Sequence, residues 1–378
     1  MSSSKTVQEV RLFEFYRDHI WPLHRLFLKS TLTPRCSNCF LPKSYCSFTD
    51  GVCSICLEPK VAEEIVEENL TTCEEFNETV RGCLGEGKEY DALVLFSGGK
   101  DSTYLVKRLQ DDFAGIRILC LTIDNTFMSE VALSNIKEVV EKLGVAHISY
   151  RPPKEFMEKM YRYGFLNLGE KGCSGTVDQF DGDFLCDTGR KFAFIMQIPM
   201  LVIGLSKVQC KRVLGVFNYE SPLEYEMSDR THSGIIKLRE VFSSEEVAKY
   251  FWQGSSVPKS KVPRVLFPFY VWNKGEEEIK KELQVQNLLP KVNQSPIVTN
   301  NQLIPLMGLV DMARFGYSSF EAEFAEMVRA GSSDRLNWLY TFELLEYASK
   351  TGKFISKGVD EVLERLNLTR SELGIKSK

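Results

Sequence analysis

The sequence predicts an α/β protein built on a doubly wound parallel sheet, with an N-terminal four-cysteine zinc segment and a helical C-terminal cap. Three observations lead there. From Asp91 onward short apolar runs alternate with amphipathic segments of helical period. One such run, "ALVLF", stops at "SGGKDS" (Ser97–Ser102) and restarts as "TYLVKRL". Five of the eleven cysteines crowd between Cys36 and Cys56. Strands alternating with helices of about 10–15 residues imply parallel pairing through crossover helices.

The 378 residues carry 43% hydrophobic and 26% charged side chains, a globular composition. A formal charge of −4, from 47 basic and 51 acidic residues, disfavours a nucleic-acid partner, although a local basic groove around "KVQCKR" would revive one. No apolar run approaches the roughly 18 residues of a membrane span, and the N-terminus lacks a signal-peptide core. A cytoplasmic protein is therefore expected. Residues 1–34 carry Val10, Leu12, Phe13, Tyr16, Ile20, Leu23 and Phe27 at helical spacing among charges, which predicts an amphipathic helix packed on the body.

Residues 35–60 hold Cys36-x2-Cys39 and Cys53-x2-Cys56, separated by thirteen residues. Two knuckles of two thiolates each suit tetrahedral zinc, and four thiolates leave no open position, so the ion is structural. Cys46 falls between the pairs as a spare or alternative ligand. The competing reading, buried free thiols, does not account for the spacing. Residues 61–90 form a helical, acid-rich connector.

The sheet segment spans 91–240. "ALVLF" is its first strand and "STYLVKRLQDD" the helix after it. "IRILCLTID" (Ile116–Asp124) is the second strand and "SNIKEVVEKLG" its helix. "AHISY" is the third, followed by helical "KEFMEKMYRYG". "RKFAFIMQ" is helical, "MLVIGL" after Pro199 is the fourth strand, and "RVLGVF" is a candidate fifth. Ligands in such sheets bind beyond the carboxyl ends of the strands, where Ser97, Asp124 and Gly204 fall. Residues 241–378 are less regular at first and mainly helical from Leu303, and they cap the sheet.

A strand that ends in "SGGKDS" and opens a helix is suited to an anion. The free N–H groups of the first turn and the helix dipole favour negative charge. Gly98 and Gly99 remove Cβ atoms that would hold phosphate oxygens away. Ser97 and Ser102 offer hydroxyls, Lys100 a positive charge, and Asp101 either a cap or a ligand for magnesium. The spacing is not that of the common phosphate loop, G-x-x-x-x-G-K-[ST]. A turn serving geometry alone is the bland alternative.

"SGGKDS" resembles the PP-loop of the N-type ATP pyrophosphatases, S-G-G-x-D-S, at every fixed position. The resemblance covers about Asp91 to Phe217 and implies an adenine nucleotide alpha-hydrolase-like fold. It also implies a chemistry: ATP and Mg2+ adenylate a substrate oxygen, pyrophosphate leaves through the loop, and a nitrogen or sulfur nucleophile displaces AMP. It places Ile123, Asp124 and Asn125 of "TIDNTF", and Gly204, beside the nucleotide. Histidine often follows that glycine in the family; Leu205 stands here. "CSNCFLPKSYCSFTDGVCSIC" is similar to the zinc segment of N-acetyl sugar amidotransferases, matching at Cys36, Cys39, Pro42, Gly51, Val52, Cys53 and Cys56. That likeness implies a small-molecule acceptor such as a nucleotide-linked sugar, and ammonia from a separate glutaminase. The chain departs from it after "IPMLVIGL".

Sulfur, transferred to a small molecule or a tRNA base, is the alternative nucleophile. PP-loop sulfurtransferases use reactive cysteines, or an iron–sulfur cluster, in the region corresponding to "GCSGTVDQFDGDFLCDTGRKFAF". Cys186, taken to precede a helix near Arg190 and Lys191, is the candidate persulfide carrier fed by a sulfur donor, and Cys173 the resolving thiol. Both are otherwise ordinary thiols. A cluster is the weaker variant, because its third ligand would have to be Cys210. A nucleotide-binding protein without turnover is a further alternative, disfavoured by the intact loop. The polar loop "VTNNQ" (Val298–Gln302) is a candidate substrate contact.

Overall fold

The computed structural model describes residues 11–28, 30–58, 68–205, 209–210, 218–221, 240–254, 257–272, 274–289, 301–331 and 333–376. At the N-terminus a helix containing a π-turn at Tyr16–Ile20 continues as α1 (Trp21–Leu28). Its anchor is Trp21, fully buried, whose indole N–H donates to Glu343 at 3.1 Å while Arg25 clasps the same carboxylate at 2.6 Å. The expected apolar face is largely outward: Leu12, Leu23 and Phe27 are exposed. The π-turn adds a residue and shifts the helical phase, so a strict 3.6 period mislabels the buried side.

The cysteine segment contains a small hairpin, β1 (Phe48–Thr49) and β2 (Val52–Cys53), closed by Asp50 and Gly51 at positive φ. A single helical turn follows at Ser54–Leu57, and α2 (Glu68–Cys83) leads to the sheet.

The sheet is built from β3 (Ala92–Leu95), β4 (Ile118–Ile123), β5 (Ala146–Tyr150), β6 (Met200–Val202), β7 (Glu220–Ser221) and β8 (Arg264–Leu266). Its order is β5-β4-β3-β6-β8-β7, parallel except for the edge strand β7. The crossovers are α3 (Lys100–Asp112), α4 (Glu130–Leu143), and then α5 (Lys154–Leu166) with α6 (Val177–Ile195) between β5 and β6. β3 and β4 are buried almost throughout, as near-continuous Val/Leu/Ile runs require when helices cover both faces. Gly189 lets α6 lie close on the sheet, since a Cβ there would stand 2.9 Å from Leu95 and 3.0 Å from Leu201.

The expected doubly wound sheet is therefore present. One of its parallel strands, β8, comes from beyond Val241, in the segment read as irregular. "RVLGVF" lies outside the described residues.

α7 (Ser244–Tyr250) packs on α6, and α8 (Glu276–Val285) packs on α3. The remaining helices are α9 (Leu303–Phe315), α10 (Glu321–Arg329), α11 (Arg335–Thr351) and α12 (Lys357–Arg365). Their apolar surface is shared in two directions. Leu303, Leu306 and Val310 of α9 belong to the main core beneath the sheet. Met312, Ala325, Trp338 and Phe342 instead enclose Cys36, Cys39, Phe40 and Leu41. The helical cap thus joins the sheet to the cysteine segment.

Candidate functional site: a Ser-Gly-Gly turn at the switch point of the sheet

β3 pairs with β4 on one side and β6 on the other. Successive crossovers leave it in opposite directions, which makes its carboxyl end the crevice of the sheet. "SGGKDS" fills that position. Gly99, extended at φ −79°, precedes α3, and no side chain caps the helix. Its N-terminal dipole is directed into the crevice, where an anion is favoured.

The two glycines have different reasons. Gly98 has φ +70°, and a Cβ there would lie 2.6 Å from Ile136 Cγ1 on α4. The backbone conformation and the neighbouring helix by themselves already require glycine here. At Gly99 a Cβ would meet only Ser97 Oγ, at 3.3 Å, so this is the side left open for close approach.

The serines shape the turn before any ligand arrives. Ser102 Oγ donates to the Gly99 carbonyl at 3.1 Å and accepts from the Ser97 N–H at 3.3 Å. Ser97 Oγ lies 3.2 Å from it and accepts from the Gly99 N–H at 3.4 Å. Lys100 Nζ pairs with Asp101 at 2.8 Å, and the Asp101 carboxylate is 45% exposed, hence open to a cation. Gly204, after β6, brings the chain against the same turn: its Cβ position is 3.7 Å from the Asp101 carbonyl carbon.

The end of β4 supplies the opposite wall. Ile123 closes the strand, and Thr122 Oγ1 donates to the Phe96 carbonyl at 2.7 Å, tying β4 to the residue before Ser97. Asp124 is buried. Its Oδ1 accepts from the Thr126 N–H at 2.9 Å and its Oδ2 from Arg151 at 2.8 Å. Asn125 donates to both oxygens of Asp181 on α6 at 3.1 Å, and the Tyr161 hydroxyl donates to the same carboxylate. Burial pushes the Asp181 carboxyl above the usual range, against the hydrogen bonds from Tyr161 and Asn125. The structure therefore brings Ser97, Gly98, Gly99, Lys100, Asp101, Ser102, Ile123, Asp124, Asn125 and Gly204 to one end of the sheet. Arg151, Tyr161 and Asp181 have no place in the sequence reading. "RPP" after the third strand is a signal for Arg151; the acid run holding Asp181 has the composition of a loop.

The two central cysteines sit differently from expectation. Cys186 does not precede a helix: it lies in the middle of α6, half-buried and nine residues past its start, beyond the reach of the N-terminal dipole. Cys173 is fully buried in the helical turn Gly172–Gly175. Burial, and then the carboxylate of Asp311, push its thiol well above the ordinary value. Asp311 Oδ1 accepts from the Cys173 N–H at 2.8 Å. Cys210 is buried, and burial pushes it up to about 12. Among the described residues these three do not form a metal-ligating group.

Cys36, Cys39, Cys53 and Cys56 do, with all four Sγ atoms within 4.8 Å of one another. The Cys36–Cys56 separation is 3.8 Å and Cys39–Cys53 is 3.5 Å. Thiolates bonded at about 2.3 Å to one tetrahedral ion stand roughly 3.8 Å apart, so the set fits a single ion. Burial opposes ionisation of Cys36, but the N–H groups of Cys53, Cys39 and Asn38 more than offset it and bring the thiol down to about 7. Cys46 stays outside the group, pushed up to about 11 by burial and by Cys53.

No family model matches the chain. Among curated proteins it is similar to an uncharacterized protein of Methanocaldococcus jannaschii, 28% identical over 107 residues. That match covers 24% of this chain and 38% of the relative, so the chain spans well under half of the relative's length. Among solved structures it is similar to the U34-tRNA thiolase NcsA of Methanococcus maripaludis with its 4Fe–4S cluster. There the TM-score is 0.34 and identity 14%, over 92% of this chain and 100% of that one. It is similar also to the NH3-dependent NAD synthetase of Campylobacter jejuni, with TM-score 0.33 and 10% identity over 76% and 96% of the two chains. For the NMN synthetase of Francisella tularensis the values are 0.33 and 9%, over 77% and 96%.

Proposed function

We propose that the protein is an ATP-dependent adenylating enzyme that transfers nitrogen to a small carbonyl or amide compound. The observation that carries this is the "SGGKDS" turn at the switch point, uncapped, with Gly204 on one side and Asp124 on the other. The acceptor oxygen attacks the α-phosphorus of ATP, and the bond from that phosphorus to the β-phosphate oxygen breaks. Pyrophosphate leaves along the N-terminus of α3, where the helix dipole and Lys100 stabilise its charge. Asp101, 45% exposed, would hold the magnesium ion that accompanies ATP. Ammonia then adds to the activated carbon, its carbon–oxygen bond to AMP breaks, and the nitrogen loses a proton.

The buried cysteine set is best filled by a structural zinc ion, which ties the N-terminal segment to the cap. Ammonia is favoured over a persulfide because Cys186, the expected carrier, lies mid-helix away from the N-terminal dipole, and Cys173, the expected resolving thiol, is enclosed with its thiol pushed well above the ordinary value. The sulfur reading rests on Cys186, half-buried on the helix that carries Asp181. A nucleotide-linked sugar as acceptor and a glutaminase as partner follow from the likeness of the zinc segment; a sulfur donor belongs to the second reading. No described helix is long and apolar enough to cross a membrane.

The test measures AMP and pyrophosphate released from Mg·ATP with a panel of nucleotide-linked sugars, using ammonium or sulfide as donor. Ammonium-dependent product that survives Cys186→Ala is expected, together with loss of AMP formation in Ser97→Ala and Asp101→Ala. AMP formation that survives both loop variants overturns the reading. Product formed only with sulfide, and lost in Cys186→Ala, moves it to the second.

A further inference from the structure

The loop after β4 holds a backbone conformation that its sequence disfavours. Thr126 has φ +69°, in the left-handed region that a β-branched residue rarely enters. Something must stabilise it there. Within the loop the Thr126 N–H donates to Asp124 Oδ1 at 2.9 Å and the Phe127 N–H to Asn125 Oδ1 at 3.0 Å. From outside comes Arg365, the last residue of α12. Its Nη1 donates to the Thr126 carbonyl at 3.0 Å and its Nη2 to Thr126 Oγ1 at 3.2 Å. The same guanidinium lies over the Phe127 ring, 3.7 Å from its centroid, and its Nε donates to Glu158 at 3.2 Å.

We infer that Arg365 is a positioning residue for the nucleotide site: it clamps Thr126 in its left-handed conformation and so fixes Asp124 and Asn125 at the end of β4. The inference rests on the adenylation reading, in which that strand end lies against AMP. The physical logic is a division of labour. Asp124 Oδ1 accepts from the Thr126 N–H, so a group that anchors Thr126 from the other side also holds the donor that orients Asp124. A planar guanidinium that grips the carbonyl and hydroxyl of one residue, and stacks on the next ring, fixes both at once. It also makes the last turn of α12, over 200 residues away in sequence, part of the site's support.

Glycine supplies the test, because it adopts positive φ without help. In the full, metal-loaded chain, binding of α,β-methylene-ATP with Mg2+ is measured by calorimetry. Amide exchange at Thr126 and Phe127 is followed in parallel. Arg365→Ala should weaken binding about tenfold and speed exchange of both amides. Thr126→Gly should bind within about threefold of the parent, and Arg365→Ala/Thr126→Gly should recover to the same level. A merely structural anchor would not be rescued by that glycine. Unchanged exchange in Arg365→Ala, or a double variant as weak as the single, overturns the clamp. Faster exchange with unaltered binding, while Ser97→Ala abolishes binding, overturns its link to the nucleotide. If the parent chain itself fails to bind the nucleotide, the adenylation reading falls and the nucleotide role of Arg365 with it. Exchange still decides the clamp itself.

Discussion

Single residues in this protein carry geometric demands that composition conceals. The motif alone assigns Gly98 to making room for phosphate; its positive φ and the proximity of Ile136 show that it makes room for α4. Gly98→Ala should therefore cost about 1–3 kcal/mol of stability as well as nucleotide binding, whereas Gly99→Ala should impair binding with little change in melting temperature. Thermal unfolding of the two variants checks this. Asp91, at the start of β3, gives a pH prediction. Burial alone would raise its carboxyl, but the side chain of Arg117 and the N–H groups of Arg117 and Gly85 hold it below the usual 3.8. A carboxyl depressed in the folded state stabilises above its unfolded value and loses that contribution as pH falls through the folded one. Asp91→Asn should thus be less stable than the parent at pH 7, and the difference should shrink on acidification below about pH 4. A constant difference between pH 7 and pH 2 would refute the assignment.

At the scale of elements, the legibility of the sequence tracks the length of the apolar signal. "AHISY" coincides with β5, a partly exposed edge strand, and β3 and β4 fall inside their expected runs because buried parallel strands are nearly continuous in Val, Leu and Ile. β8 escapes because a three-residue strand set between Pro263 and Pro268 offers no period to detect. The first half of α6 escapes for another reason: "VDQFDGDF" has the Asp and Gly content of a loop, and only tertiary packing makes it helix. That is also where Asp181 is hidden. The cysteine segment is legible from spacing, but its partner is not. Arg35, 2% exposed, donates to Glu321 at 2.5 Å and to Glu346 at 3.3 Å, fastening the segment to α10 and α11. Arg35→Met should destabilise by about 3–5 kcal/mol by stranding two buried carboxylates. Arg35→Met combined with Glu321→Gln and Glu346→Gln should recover part of that loss in chemical denaturation.

For the whole molecule, the cap is the mediator between two bodies that, among the described residues, have separate buried clusters: Leu303, Leu306 and Val310 of α9 join that of the sheet, and Met312 that of the cysteine segment. Removing the metal should therefore lower the melting temperature of the cap and expose α10 and α11 to protease, while β3–β6 stay protected. Chelation followed by limited proteolysis checks this, and metal analysis should return one zinc per chain. The arrangement also dictates an order of events during synthesis. Trp21 waits for Glu343, 322 residues later, and Arg35 for Glu321 and Glu346. The strands can pair while the ribosome is still at work, yet the first knuckles to be made are among the last parts to find their seat. Through that interval the short hairpin and a metal held by the four thiolates would be what keeps the knuckles together, so early capture of such an ion would protect the nascent chain.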